Sequence, residues 1–545
     1  MKKFLSLLVM CIVLCACAFT GCSPAALPND PNAGKEVDLS KAQLYVSNFN
    51  GGMGYEWLSK IIKRFEADYA ETEFLEGTKG VQVWIDNHKG LDDDKIPTVR
   101  DEVLFLENCN YYDMIYNGYL LEITDMVTEP LTAYGETKSV EDKLSESYRD
   151  FYKTEDDKYY GIPHHSTVYS ITYDIDLFDR NKLFFDAGGN ISKKSTDSGL
   201  SAGPDGENGT YDDGLPATYK DFYKLCSTMK KRGVAPVAWS GMYPFYVTLF
   251  AEALKVDFEG DEAHLQYDFN GTATKIVDRI ENDGTVVYKN AFTISEENGY
   301  ETFGSAGNYY AFDFIYNLIK NDYYYSKSFN EAISHTDIQS IFLQSSFTSE
   351  QDIGMLVEGN WWVNEASPTF KSMAAKYKGS SLNERRLALM PMPKATEEQI
   401  GEPQTMVDQA RSLSCINANI DKTKIQLAKT FLQYCETQES LLETFLTTNI
   451  LRGFEVDTSA VYDTLSTYGK SVVDTTGVKA NKVIPLSSCD VFYRNYSAFL
   501  STQLLATKEY TAPSSAFKDG VTSAELFNKL QNKYNEETWA LLLSK

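Results

Sequence analysis

Apolar positions fall along this chain in three rhythms. An unbroken apolar run from Phe4 to Ala18 comes first. Farther on, alternation within Gln43–Ser47 and at Val81, Val83 and Ile85 predicts two strands, and Val103-Leu104-Phe105-Leu106 predicts a third. Between the first two, Leu58, Ile61, Ile62, Phe65 and Tyr69 share one face at helical spacing. Strand, helix, strand and a later strand begin an α/β lobe with a mostly parallel sheet. In such sheets ligands sit beyond the carboxyl ends of the strands, here Asn48 to Gly52 and Glu107 to Tyr111. Gly161 to Ser166 reads as a turn before a strand at Val168–Tyr173, and Asn190–Pro216 as a polar, Gly-rich surface insertion. Helical spacing returns at Tyr219–Met229, Phe312–Ile319 and Thr423–Cys435.

The first run has the features of an export signal: Lys2 and Lys3 precede it, and Phe19-Thr20-Gly21-Cys22 closes it. The cysteine there resembles a bacterial lipobox, with Phe19 where Leu is usual. That implies a signal over residues 1–21, lipidation of Cys22, and a flexible linker over 22–40 rich in proline and small residues. An uncleaved membrane helix is the other reading of the run. Either way the remaining chain lies outside the cytoplasmic membrane, at the cell surface or in a periplasm.

The 545 residues suffice for several domains or one large two-lobed protein, and 43% hydrophobic content provides sizeable cores. A net charge of −26 with no basic cluster argues against nucleic acid and favours neutral or cationic partners. Tyrosines number 36, and each offers a flat apolar face with a hydroxyl, which suits polar ligands with apolar faces. Cys109, Cys226, Cys415, Cys435 and Cys489 are scattered and odd in number, so they read as buried thiols. Asp205, Glu207, Asn208, Asp212 and Asp213 gather hard oxygen donors on a Gly-rich loop, though without EF-hand spacing. They are the one candidate for structural calcium, with a solvated acidic loop as the alternative; no other cofactor is implied.

The order of local patterns resembles an extracellular solute-binding protein of a bacterial ABC importer, in the sugar-binding group that includes maltose-binding protein. The resemblance rests on Asn48-Phe49-Asn50-Gly51-Gly52 after the first strand, Tyr119 to Thr124, and Tyr160-Gly161-Ile162-Pro163 with Tyr173-Asp174 and Leu177-Phe178. It continues through Leu215 to Tyr219, then Asp352 to Met355 with Gly359-Asn360-Trp361-Trp362, which resembles the return crossing, and Ser414 to Asn417 leading into Lys429 to Leu432. It implies an α/β, type II periplasmic-binding-protein-like fold, with a ligand cleft between two lobes joined by crossing segments. The expected division is 41–165 with 361–425 for the N-terminal lobe and 166–360 with 426–545 for the C-terminal lobe. Partners would be a carbohydrate, as an oligosaccharide, and the permease subunits of the importer; the protein would be a monomer touching the membrane only through its lipid.

The resemblance places Trp361 as an aromatic platform under a sugar ring; Trp362 is the rival, because in a strand the two side chains point to opposite faces, one to the cleft and the other to a core. Trp239 and Tyr243 stand where second-lobe contacts fall, and Tyr493 with Arg494 where a late aromatic stacks. In the first lobe Phe49 and Asn50 lie at the strand-to-helix turn, and Glu107, Asn108 and Asn110 in the next loop. Maltose binders carry an acid and a base in that loop; Cys109 and Asn110 stand there instead, which puts maltodextrin specificity in doubt. His164 and His165 open the first crossing, with His165 a candidate hydrogen-bonder to the ligand; adjacent residues in an extended segment diverge, which disfavours a joint metal site. No H-E-x-x-H and no nucleophile with a spaced base is present, so no catalytic residue is assigned. Two other readings stay open: a binder of peptides or another polar solute, and a lipid-anchored glycosidase using two carboxylates.

Overall fold

The computed structural model describes residues 30–88, 90–409, 411–477, 481–499 and 501–544. The expected export signal, Cys22 and the start of the linker lie outside them.

Two mixed sheets organise the chain. In the first, β1 (Ala42–Phe49) runs parallel to β2 (Val81–His88) and to β3 (Val103–Leu106). The helix α1 (Glu56–Asp68) buries Trp57, Leu58, Ile61, Ile62 and Phe65, the stripe its helical period predicts. The second sheet contains β5 (Tyr169–Asp174), β6 (Ala235–Ala238), β7 (Ile353–Gly359) and β8 (Leu387–Met390), in the order β8-β5-β7-β6. Its β5 is antiparallel to both neighbours. The first sheet is completed by β4 (Gly161–Ile162) and β9 (Leu413–Ile416), in the order β2-β1-β3-β9-β4. β9 is antiparallel to β3, because it enters from the other lobe and therefore runs the opposite way. The expected mostly parallel sheet is in this sense mixed.

Among the helices of the second lobe are α2 (Tyr219–Lys231), α3 (Phe245–Glu259), α4 (Ala306–Lys320), α5 (His335–Ser345) and the single turn α6 (Trp362–Glu365). Thr218 caps α2 in a capping box with Asp221. One face of the second sheet packs Ile171, Met355 and Val357 under Phe250 and Phe312, and the other packs Leu356 and Trp362 under Phe342 and Tyr468.

These pairings move the expected lobe boundaries. Ile353–Gly359 is an interior strand of the second sheet, not a return crossing, and β8 keeps 361–390 in the same lobe. The chain recrosses near Val407–Ser412, between a strand at Thr405–Val407 and β9. The helix α7 (Ile425–Cys435) then buries Leu427, Ala428, Phe431 and Leu432 in the first-lobe core, so it belongs to that lobe.

A buried ion pair fastens the first crossing. Arg452 and Glu436, 1% and 0% exposed, meet at 2.8 Å. The same guanidinium donates to the backbone carbonyls of His164 and Cys435 and to Ser414 Oγ. Asp408 accepts from the Tyr148 hydroxyl at 2.6 Å, and that hydroxyl also reaches Ser166. Removing one partner of such a pair strands a buried charge. Arg452→Met is expected to cost about 3–5 kcal/mol in urea unfolding, and the double change Arg452→Met with Glu436→Leu to recover part of it. Equal losses in the single and double variants would show that the pair does not act as a unit.

Candidate functional site

A cleft of about 490 Å³ lies where the strand ends of both sheets converge. Its volume suits a small-molecule ligand. From the first lobe come Phe49, Gly51 and Gly52 after β1, and Glu107 and Asn108 after β3. The crossings contribute His165, Thr167, Gln409 and Arg411. From the second lobe come Tyr169 at the head of β5, Phe245, Tyr246 and Leu249 of α3, and Trp361 and Glu365 beyond β7. A larger cavity, about 690 Å³, is lined by residues including Asp150, His264, Asp268 and Lys482, and shares Leu486 with this cleft. The smaller one holds the convergence of strand ends, crossings and aromatic rings, which is the arrangement that builds a site in an open α/β sheet.

Trp361 bridges the lobes. Its ring meets Tyr169 edge-on at 5.1 Å, and Tyr169 meets Tyr246 at 5.6 Å. Across the cleft the indole lies so close to Gly52 that a Cβ there would collide with it, and a Cβ at Gly359 would do the same. Trp362 is fully buried and its indole N–H donates to Thr172 Oγ1 at 2.9 Å. The two tryptophans diverge because they begin a helical turn, not because they alternate along a strand.

Polar groups at the site are held in place. His165 Nε2 and Glu107 Oε1 are 2.7 Å apart. Ser412 Oγ accepts from the His165 amide at 3.0 Å and donates to its carbonyl at 2.7 Å. His164 turns instead into the core against Trp57 and Phe105, where burial holds its pKa well below the usual value. Asn108, in the left-handed region at φ 62°, accepts from Arg411 at 2.7 Å. On the far wall, Gln339 of α5 donates to Glu365 at 2.8 Å and to Glu358 at 3.1 Å. Burial pushes both carboxyls up, Glu358 well above the usual carboxylate range; for Glu365, Gln339, His335 and the Trp361 indole pull the other way.

Other expected contacts lie elsewhere. Trp239 is 2% exposed, packed on Tyr324 and Phe329, because β6 ends inside the second-lobe core. Tyr243 sits beyond the lining, its ring 5.5 Å from His335 and 5.8 Å from Phe245. Asn50 is partly exposed at the turn, outside the lining, with its amide bonded to the His88 carbonyl. Asn110 donates to the Tyr493 carbonyl at 3.0 Å, Tyr493 stacks on Tyr112, and Arg494 pairs with Asp490 in an exposed i,i+4 bridge. Asn110 and Tyr493 belong to a second contact between the lobes, away from the cleft, and Arg494 stays on its own helix.

The acidic loop holds itself together. Asp212 accepts from the Asp205 amide and the Thr210 hydroxyl, Asp213 from the Gly209 amide, and Asp205 from the Glu207 amide, while Asn208 is exposed. Burial pushes the Asp212 carboxyl up to about 6. Among the described residues no three His, Cys, Asp or Glu side chains are gathered to hold a metal ion, and Cys109, Cys226, Cys415, Cys435 and Cys489 are all free thiols.

Tyr169, Phe245, Tyr246, Glu365, Gln409 and Arg411 were not singled out from sequence. Glu365 was within reach: it stands four residues after Trp361, one helical turn away.

No protein-family model matches the chain, and neither does any of the curated proteins searched. Solved structures do match. A chitin oligosaccharide binding protein is 16% identical, with 92% of this chain and 100% of that one covered and a TM-score of 0.52. RafE in complex with raffinose is 12% identical, over 91% and 100%, with a TM-score of 0.53. The cyclic α-maltosyl-1,6-maltose binding protein from Arthrobacter globiformis is 10% identical, over 93% and 100%, with a TM-score of 0.54. At these identities the likeness shows the fold: this chain has the two-lobed fold of binding proteins.

Gly52→Ala is expected to displace the indole of Trp361 without disturbing either core. Acrylamide quenching of tryptophan fluorescence should rise, and the increase should vanish in a Trp361→Phe background, with melting temperatures within about 4 °C of the parent. Unchanged quenching would mean that Trp361 does not rest on Gly52.

Proposed function

We propose that the chain is an extracytoplasmic receptor that captures a carbohydrate, as an oligosaccharide, by closing two lobes on it, and delivers it to an ABC importer. The observation that carries this reading is the half-buried indole of Trp361 between the lobes, flanked by carboxylates on both sides of the cleft. One face of a pyranose is mostly C–H, which an indole covers without stranding a polar group. Carboxylates and amides then bond the hydroxyls at the ring's edge. Closure needs contacts that exist only when both lobes grip the ligand, and this cleft draws on both lobes and two crossings. The similar solved structures whose descriptions name sugars support the same reading. No covalent step is required, and no catalytic role is assigned.

The lipobox-like Cys22 supports anchoring by lipid on the outer face of the cytoplasmic membrane. No helix among the described residues is long and apolar enough to cross a membrane.

A panel of oligosaccharides, with amino acids and short peptides as controls, should raise the melting temperature for one glycan class by mass action. Trp361→Ala should then weaken that glycan by about thirtyfold or more, the loss of a central aromatic contact worth 2 kcal/mol or more. Silence for every sugar, or undiminished binding by Trp361→Ala, would sink the reading. In cells, Cys22→Ala should move the protein from the membrane fraction to the soluble fraction; retention at the membrane would remove the lipid anchor from the account.

A further inference from the structure

Two carboxylates reach the cleft from opposite lobes. Glu107 follows β3, and Glu365 closes α6; each side chain is 18% exposed, accessible yet largely out of water. Neither is loose, since His165 holds one at 2.7 Å and Gln339 the other at 2.8 Å. Among the described lining residues the one permanent cation is Arg411. Its guanidinium donates to Tyr496 Oη at 2.6 Å and to Asn108 Oδ1 at 2.7 Å, and it lies over the Tyr496 ring, with Asp93 as a nearby counter-charge. Around the two acids stand His165, His335 at 3.8 Å from Glu365, Glu358 behind Gln339, and the phenols of Tyr169 and Tyr246. Two acids therefore face the place where the ring of a ligand would lie, against one permanent cation that Asn108 and Asp93 already engage.

Such a pair favours a cation over a neutral hydroxyl. An ammonium has three donors and can bond two carboxylates at once. Its bonds to them are charge-assisted and about twice as strong as neutral ones. Facing acids also repel as the lobes approach, so a cation between them rewards the closed state specifically.

We propose that the cleft selects a sugar bearing a protonated amino group, a hexosamine unit, with its ammonium between Glu107 and Glu365 and its C–H face on Trp361. This rests on the carbohydrate reading and narrows it.

The test is calorimetry with β-linked glucosamine tetramer, its fully N-acetylated counterpart and a neutral glucose tetramer, at a pH where the free amine is charged. The amine form should bind at least about tenfold more tightly than either neutral probe, and lose affinity as salt rises. Glu107→Gln and Glu365→Gln should each remove about tenfold or more for the amine and less than about threefold for the neutral probes. The wild-type comparison decides the matter even if a variant fails to fold. Equal or tighter binding of a neutral tetramer overturns this proposal and leaves the carbohydrate reading in place. Failure of all three probes, together with silence across the wider glycan panel in protein that melts cooperatively, overturns both.

Discussion

The cleft depends on how the first crossing is fastened. A segment passing between two lobes has few neighbours to pack against, and its backbone carbonyls must still find donors. Arg452 answers both needs from within the protein, giving its donors to the carbonyls of His164 and Cys435, to Ser414 and to Glu436. With that backbone placed, His165 turns to Glu107 while His164 turns into the core, and Ser166 reaches the Tyr148 hydroxyl that Asp408 accepts. Asp408 sits on the return crossing, so the two strands of the hinge are tied to the same buried network. A buried ion pair is seldom a net source of stability. Here its effect is register: it decides which side chains of the crossing look into the cleft.

From that hinge the lobes contribute different chemistry. The first lobe offers short turns at strand ends, where Gly51 and Gly52 keep the wall thin, and Glu107 and Asn108 supply polar atoms. The second offers the rings, in a chain of edge contacts from Trp361 through Tyr169 to Tyr246. Neither half encloses a ring-shaped polar ligand alone. Trp361 leaning on Gly52 is the point where the halves meet, and it requires the absence of a side chain on one partner. A ligand that slides over the indole would replace an interlobe contact with its own.

Much of the fold was legible in the sequence, for physical reasons. Amphipathic elements announce their period: β1 and α1 fall within a residue or two of the alternation at Gln43–Ser47 and the stripe from Leu58 to Tyr69. The helix α3 gave no such signal, because residues from Tyr246 to Glu259 are buried all round and an encircled helix has no polar face. That silence hid Phe245 and Tyr246, half the aromatic wall. The strand β7 was mistaken for a crossing for a related reason: Ile353–Gly359 is buried throughout, and pattern cannot say which sheet an interior strand joins. At the site, local motifs carried Phe49, Glu107, Asn108, His165 and Trp361 into one cleft, since each follows a strand end or opens a crossing. Trp239, Tyr493 and Arg494 went astray because residue type shows what a side chain can do, whereas its direction depends on partners hundreds of residues away. Gln409 and Arg411, with no motif around them, became visible only when the return crossing was located.

A crystal structure of the protein with a bound oligosaccharide would test the central claim most directly. The account predicts a pyranose lying over the Trp361 indole, with polar contacts from Glu107 and Glu365 on opposite walls and the lobes drawn together around it. A sugar seated instead in the separate cavity beside Asp150 and Asp268, with Trp361 bare, would contradict it.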